Sequence, residues 1–278
     1  MTKITLTLWD KKELAEGTMA FYFGSDGQRF VFKPGQCIRI TLLDPLYEDE
    51  KGNARDFSIA SSPGEPSLMI VTRMTGSAFK RSLADLPLGS KVWVDGPYGD
   101  FLLDADPTRP AVFLAGGIGI TPIRSMIKHA IEQHSSQRVT LVYCNRTPDD
   151  AAFLDELQKW EKENSNFRLI ATMTQVADSG KAWEGRRGHL EVRFIKDYLG
   201  DQDPPVSPVA GPSPGKTWTG RRGYVDVQFV KDHLCDQAQS VYYVAGPPRF
   251  VSAVADVLAT AGVNQGDIRT DEFFGYEA

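Results

Sequence analysis

The sequence predicts two domains of different class, an antiparallel β-barrel over residues 1–105 followed by an α/β domain with a five-stranded parallel sheet over residues 110–278. Three observations carry this reading. The first hundred residues are short strand-like runs broken by Gly, Pro, Asp and Ser, the pattern of an antiparallel barrel or sandwich. The second half alternates apolar strands with helical stripes, which calls for a parallel sheet covered by helices. One stretch occurs twice: "GKAWEGRRGHLEVRFIKDYLGDQ" from Gly180 and "GKTWTGRRGYVDVQFVKDHLCDQ" from Gly215. Two copies are too few for a solenoid, which needs at least three stacked units.

In chain order, "KITLTLWDKKELAEGTMAFYFGS" alternates polar and apolar positions, as a half-buried strand does. "FVFKPGQCIRITLL", "RDFSIASSP", "SLMIVTRM" and "KVWVDGPYGDF" follow as further strands, and "SAFKRSLADLP" reads as the one short helix among them. "DADPTRP", Asp104 to Pro110, is a polar linker containing proline. Beyond it, "AVFLAGGIG" is a buried strand running into glycines. "TPIRSMIKHAIEQ" places Ile123, Met126, Ile127, Ala130 and Ile131 on one helical stripe. "RVTLVYCN" and "FRLIATMT" are strands two and three. Between them, Thr147-Pro148-Asp149-Asp150 reads as a helix start, with Thr as N-cap and the acids toward the dipole. "VYYVAG" is strand four, "RFVSAVADVLATAG" a helix closed by Gly262, and "DIRTDEFF" a last strand.

The net charge of −5 argues against nucleic acid and anionic membranes as partners. The N-terminal residues show no apolar signal region, and no apolar run is long enough to span a bilayer, so a cytoplasmic protein is expected. Cys37, Cys144 and Cys235 have no metal-ligand spacing and read as small buried apolar residues. No metal is expected.

Candidate chemistry lies at strand ends, where open α/β sheets bind ligands. Gly116-Gly117-Ile118-Gly119-Ile120-Thr121-Pro122 joins strand one to its helix; glycines admit a close ligand and the helix N-terminus offers N–H groups to a pyrophosphate. It departs from the G-x-G-x-x-G fingerprint, because Pro122 replaces the third glycine and strand two ends in Asn145-Arg146 with no acid for a ribose. A tight turn without a ligand is an equal reading of these glycines. In the first domain, Arg55-Asp56-Phe57-Ser58 offers a phosphate-neutralising cation, a ring that can stack and a hydroxyl. Val71-Thr72-Arg73 precedes Gly76-Ser77-Ala78-Phe79, a second phosphate-ready helix start with its own arginine. Phosphate sites in both domains fit two nucleotides facing each other across a cleft.

These motifs resemble the ferredoxin–NADP reductase superfamily in its stand-alone flavin-reductase form. "KPGQ", "RDFSIASSP", "TRMTGSAFKRSL", "DGPYGDF", "AGGIGITP", "VAGPP" and the terminal "DEFFGY" occur in that family's order and spacing over almost the whole chain. The resemblance implies an FAD-binding barrel followed by an NAD(P)-binding parallel domain, with FAD as cofactor and NADPH or NADH as electron donor. By the same resemblance, Arg55 would hold the flavin pyrophosphate, Phe57 would pack on the flavin ring and Ser58 would sit near its N5. Gly76, Ser77 and neighbouring amides would cradle the FAD phosphates, and Gly116 to Pro122 the nicotinamide pyrophosphate. Gly246-Pro247-Pro248 would wall the nicotinamide pocket, and Thr174-Gln175 would meet the adenosine 2′ position. Lys181, Arg186 and Arg187 could reach a 2′-phosphate, which favours NADPH without excluding NADH. Many relatives carry Cys where this chain has Ala245. The C-terminal acid and covering aromatic fit two registers, Asp271 with Phe273 or Glu272 with Phe274, the first being favoured.

The implied function is transfer of hydride from NAD(P)H to FAD and of electrons onward to a separate acceptor: a ferredoxin-like redox protein, a quinone or a small molecule. The alternative is a non-catalytic redox-sensing or partner-binding relative. A monomer or weak homodimer is expected. In the repeat, Pro204, Pro205 and Pro208 bar copy one from supplying a central strand, so copy two should provide strand four. Residues 180–214 are then a tandem-duplicated insertion of loop, helix and proline-rich linker, with helix one in the native slot as the rival arrangement.

Overall fold

The computed structural model describes residues 2–25, 27, 29–176, 179–187 and 240–274. The helices expected in both repeat copies therefore lie outside the described residues, as do Cys235 and the end of "DEFFGY".

The first domain contains β1 (Thr2–Ala15), β2 (Thr18–Gly24), β3 (Cys37–Leu42), β4 (Ala54–Ser58), β5 (Leu68–Arg73), α1 (Ala78–Asp85) and β6 (Lys91–Tyr98). The run read as one N-terminal strand is a hairpin. It turns at Glu16-Gly17, where Gly17 takes φ +61°, a conformation that glycine adopts without a Cβ clash. The strands form one antiparallel sheet in the order β4-β3-β6-β1-β2-β5. An antiparallel bridge between Ile59 and Ile70 brings the two edges together and closes the barrel. Inward-facing alternate residues such as Leu6, Phe21, Ile38, Ile40, Ile70 and Val94 fill the interior, and Phe79 and Leu83 of α1 plug it. Ser77 caps α1, accepting from Lys80 N, and Lys11 Nζ donates to the carbonyls of Ala84 and Leu86 at its other end.

The second domain contains β7 (Ala111–Gly116), α2 (Ile120–Glu132), β8 (Val139–Asn145), α3 (Leu154–Glu163), β9 (Phe167–Met173), β10 (Arg186–Arg187), β11 (Val241–Gly246), α4 (Pro248–Thr260) and β12 (Ile268–Glu272). Its sheet is parallel in the order β10-β9-β8-β7-β11-β12: five full strands and a two-residue edge strand. Phe113, Leu141 and Tyr243 face α2 and α3 on one side, while Val112, Val142 and Val244 face α4 on the other. Burial of both faces accounts for the near-continuous apolar strands.

The helix expected to begin at Thr147 begins at Leu154 instead, after Phe153 in the left-handed region at φ 63°. Thr147 and Asp150 close a local turn on each other, with Asp150 N donating to Thr147 Oγ1 over 3.1 Å. The acids serve other partners. Asp149 accepts from Ser179 Oγ, Gly180 N and Lys181 N, and Asp150 pairs with Arg73 and Arg146.

The described part of copy one, Gly180–Arg187, is built into the sheet edge: Arg186 and Arg187 pair with Thr172 and Met173, and Trp183 packs on the core. Strand four is Val241–Gly246, from copy two, between β7 and β12.

Candidate active site at the domain junction

β4 divides its residues between two environments. Phe57 lies in the barrel core in tilted contact with Phe79, ring centroids 5.8 Å apart. Arg55 is half-buried, with its guanidinium over the Phe79 ring and donating to the carbonyls of Lys51, Gly52 and Ala54. A 3.2 Å contact to Asp49 completes its surroundings. The opposite face carries Asp56 and Ser58. The Asp56 carboxylate is exposed and gripped bidentately by Arg39. Ser58 is buried and donates its hydroxyl to Asp271 Oδ2 over 3.3 Å.

Asp271 arrives on β12, opposite Ala245 in the parallel ladder with β11. Desolvation raises its carboxyl pKa to about 6, the Ser58 hydrogen bond opposes the rise, and the charge of Asp100 adds to it. The ladder continues with Phe273 N donating to Gly246 O over 2.9 Å. Phe273 then packs at the seam against a cluster containing Ala20, Ala60, Val71 and Ile118, whereas Phe274 is 71% exposed. The structure thus brings Asp271 and Phe273 together at the junction.

The N-terminus of α1 gathers positive charge. Arg73 ends β5, and Lys80, on the first turn of α1, donates Nζ to the Arg73 carbonyl over 2.8 Å. Lys80 is only 9% exposed. Burial, then the charges of Arg55 and Arg73, lower its pKa to about 8. Gly76 takes φ +74° with open space where a side chain would stand. Three cations around an open helix N-terminus suit a diphosphate, so these residues fit FAD. Thr72 is fully buried, and Val71 faces the seam.

On the parallel sheet, the glycine turn serves two ends. A Cβ on Gly119 would stand 2.2 Å from the Ala245 carbonyl, and one on Gly116 would stand 3.0 Å from the Phe250 ring. These two glycines let β7 and α2 approach β11 and α4. Gly117, at φ +53°, has open space where a side chain would stand. Thr121 and Pro122 are buried, with Thr121 Oγ1 donating to Ile118 O. Gly246, Pro247 and Pro248 form the end of β11 and the first turn of α4. Asn145 is buried at the end of β8, and exposed Arg146 pairs with Asp150. Thr174 and Gln175 follow β9 and donate their backbone N–H groups to Asn145 O and Arg146 O. Lys181 Nζ lies 3.9 Å from Asp149, and Arg187 donates to Trp183 O.

Three features escaped sequence reasoning. Cys37 is half-buried at the seam rather than in an apolar core. It pairs with Ser58 in the β3–β4 ladder, and its thiol pKa is pushed up to about 11 by burial and by the charges of Asp271 and Asp56. Arg124 of α2 is 4% exposed and reaches across the junction to Glu65 and Ala60 O while also binding Glu156. Lys80 was legible only as the third helical residue after Ser77.

A family model described as the oxidoreductase NAD-binding domain matches residues 113–215, ending on the first residue of copy two. The ferredoxin–NADP reductase B of Sorangium cellulosum is 32% identical over 176 residues, covering 63% of this chain and 69% of that protein. The glycine betaine monooxygenase reductase subunit of Chromohalobacter salexigens is 32% identical over 177 residues, covering 61% of this chain and 47% of that protein. The chain thus spans about two thirds of one relative and about half of the other. A cytochrome P450 reductase of Amycolatopsis shares the fold, with a TM-score of 0.71 at 20% identity over 98% of this chain and 70% of that one. Two domains of this class and order, with a cation cluster that fits FAD on one and a glycine turn at a strand end on the other, agree with the sequence match: the chain belongs to the ferredoxin–NADP reductase superfamily of FAD-dependent NAD(P)H oxidoreductases.

Proposed function

We propose that this protein takes a hydride from NADPH or NADH onto FAD and hands the electrons to a separate acceptor. The observation that carries the reading is the Ser58–Asp271 hydrogen bond, which joins the barrel to the last strand of the parallel sheet at the seam the two nucleotides would share. Bound there, FAD supplies a ring that accepts a hydride and releases electrons singly or in pairs. The chain supplies position and charge. Arg55, Arg73 and the open turn at Gly76 hold the flavin phosphates, and Gly117 and the start of α2 hold those of the nicotinamide nucleotide. Pro247 and Pro248 stiffen the wall at the end of β11. Phe273 covers the seam and excludes water until a nicotinamide displaces it.

Asp271 gains and loses a proton beside the Ser58 hydroxyl. When the carboxylate is ionised, Ser58 donates to Oδ2; when it is protonated, the direction reverses and Oδ2 donates to Ser58 Oγ. A carboxyl titrating near 6 visits both states at neutral pH. Relatives named as monooxygenase and dioxygenase reductase components support an oxygenase-linked acceptor, a ferredoxin-like protein or the oxygenase itself.

Protein purified without added cofactor should be yellow and should bleach anaerobically on titration with NADPH or NADH. A colourless protein, or a yellow one that neither nucleotide bleaches, would refute this reading. Running both titrations identifies the donor.

A further inference from the structure

We propose that Asp150 is a positioning residue for the electron donor: it pins Arg146, on the nicotinamide side, to Arg73, on the flavin side, so that the donor's diphosphate meets a guanidinium already in place. This rests on the reading above that NAD(P)H binds at the ends of the parallel strands. The sequence marks Asp150 only as an acid at a helix start, and that helix begins later, at Leu154. Its carboxylate is instead a meeting point of the two domains. Arg73, the last residue of β5, donates Nη2 to Oδ1 over 3.3 Å. Arg146 grips the carboxylate side-on, Nη2 to Oδ1 over 3.0 Å and Nε to Oδ2 over 3.2 Å. Thr147 Oγ1 donates to Oδ2 over 3.1 Å. The Asp150 side chain is 9% exposed and that of Arg146 is 54% exposed. A largely buried carboxylate therefore holds a cation that itself stands in solvent.

The sheet places these groups beside the glycine turn. Cys144 stands opposite Gly116 in the β7–β8 ladder, so the chain leaves β8 toward Arg146 alongside Gly117. On the barrel side, Val71, two residues before Arg73, packs with Ile118 of the same turn. Charge then alternates along the row Arg73, Asp150, Arg146. A flavin diphosphate on Arg73 and a donor diphosphate on Arg146 would extend that alternation at both ends, with every neighbour attractive. Without the central carboxylate, two guanidinium groups face each other, and the long, exposed Arg146 side chain regains the rotamers it had given up. The added positive charge would draw a diphosphate in, but at an exposed side chain salt screens that pull, so the loss of position should win. Asp149 cannot stand in, because its carboxylate is taken by Ser179, Gly180 and Lys181.

Calorimetric binding of NADP⁺, NAD⁺ and ADP-ribose to the FAD-loaded full chain tests this in the parent, Asp150→Asn, Arg146→Met and the double variant. All three ligands carry the diphosphate. Asp150→Asn and Arg146→Met should each weaken all three by about tenfold, the scale of one charge-assisted hydrogen bond. Asp150→Asn should weaken binding less in the Arg146→Met background than in the parent, because it acts through that guanidinium. Flavin reduction by reduced nicotinamide riboside, which has the ring and no phosphate, should slow far less than the diphosphate ligands weaken. Unchanged or tighter binding in Asp150→Asn overturns the proposal, as do effects that simply multiply in the double variant. An equal loss with the riboside also overturns it, because Asp150 then braces the fold. A loss confined to NADP⁺ overturns it in favour of a 2′-phosphate contact. Should Asp150→Asn lose its flavin, Arg146→Met still decides, and full affinity there overturns the proposal. A parent that binds none of the three ligands refutes the donor reading beneath it.

Discussion

The Ser58 hydroxyl donates to the Asp271 carboxylate across 3.3 Å, joining two residues 213 positions apart and one from each domain. The bond ties the local chemistry of the seam to stability. Between about pH 4 and pH 6 the folded chain keeps a proton on Asp271 that the unfolded chain has released. Stability therefore falls as pH rises through that window, and the full penalty stands above about pH 6. Asp271→Asn should be more stable than the parent at pH 7.5, on the order of 2 kcal/mol. The gain should vanish near pH 4, as thermal unfolding at the two pH values will show. A gain independent of pH contradicts this.

Phe273 and Phe274 differ in one measurable way. Phe273→Ala should change the fluorescence of bound flavin, because its ring packs at the seam. Phe274→Ala, which removes a ring 71% exposed, should not. Emission spectra of the two purified variants decide the matter, and equal effects would mean that the ladder does not select Phe273.

Arg124→Met should destabilise the chain by about 3–5 kcal/mol, because Glu65 and Glu156 lose a buried partner. Denaturant unfolding measures it. A change under about 1 kcal/mol would show the three charges to be compensated by solvent.

The repeat predicts two equivalent excisions. Removing 180–214 or removing 188–222 leaves one complete 35-residue unit, since both copies share Lys, Trp and Arg-Arg-Gly in register. Both variants should be soluble, yellow and reducible by nicotinamide nucleotide. Loss of flavin from the 188–222 excision, which keeps Trp183 and the β10 pair intact, would make the middle of the repeat part of the domain core.

The sequence carried the fold because period and punctuation report burial directly. β7 and β11 read as buried strands and are buried at every position. Local motifs were less faithful where tertiary partners claimed their atoms. Thr147-Pro148-Asp149-Asp150 has the composition of a helix start, yet its acids bind Arg73, Arg146, the Ser179 hydroxyl and the 180–181 backbone instead. The glycine turn left a ligand site and a tight turn equally open, and no sequence pattern showed that Gly116 and Gly119 also let strands and helices approach. Cys37 opposite Ser58 follows from strand register, which no run of single residues displays.

The linker has a further consequence. Asp104 N donates to the Tyr243 hydroxyl, its carboxylate binds Arg109 and Arg269, and Arg109 also binds Asp267. On the far side, Arg124 ties the second domain to Glu65 of the first. Admitting a substrate by parting them would break a buried ion pair, whereas turning one phenyl ring at position 273 exposes far less apolar area. The cheaper motion should govern traffic, at the speed of a side chain rather than that of a domain.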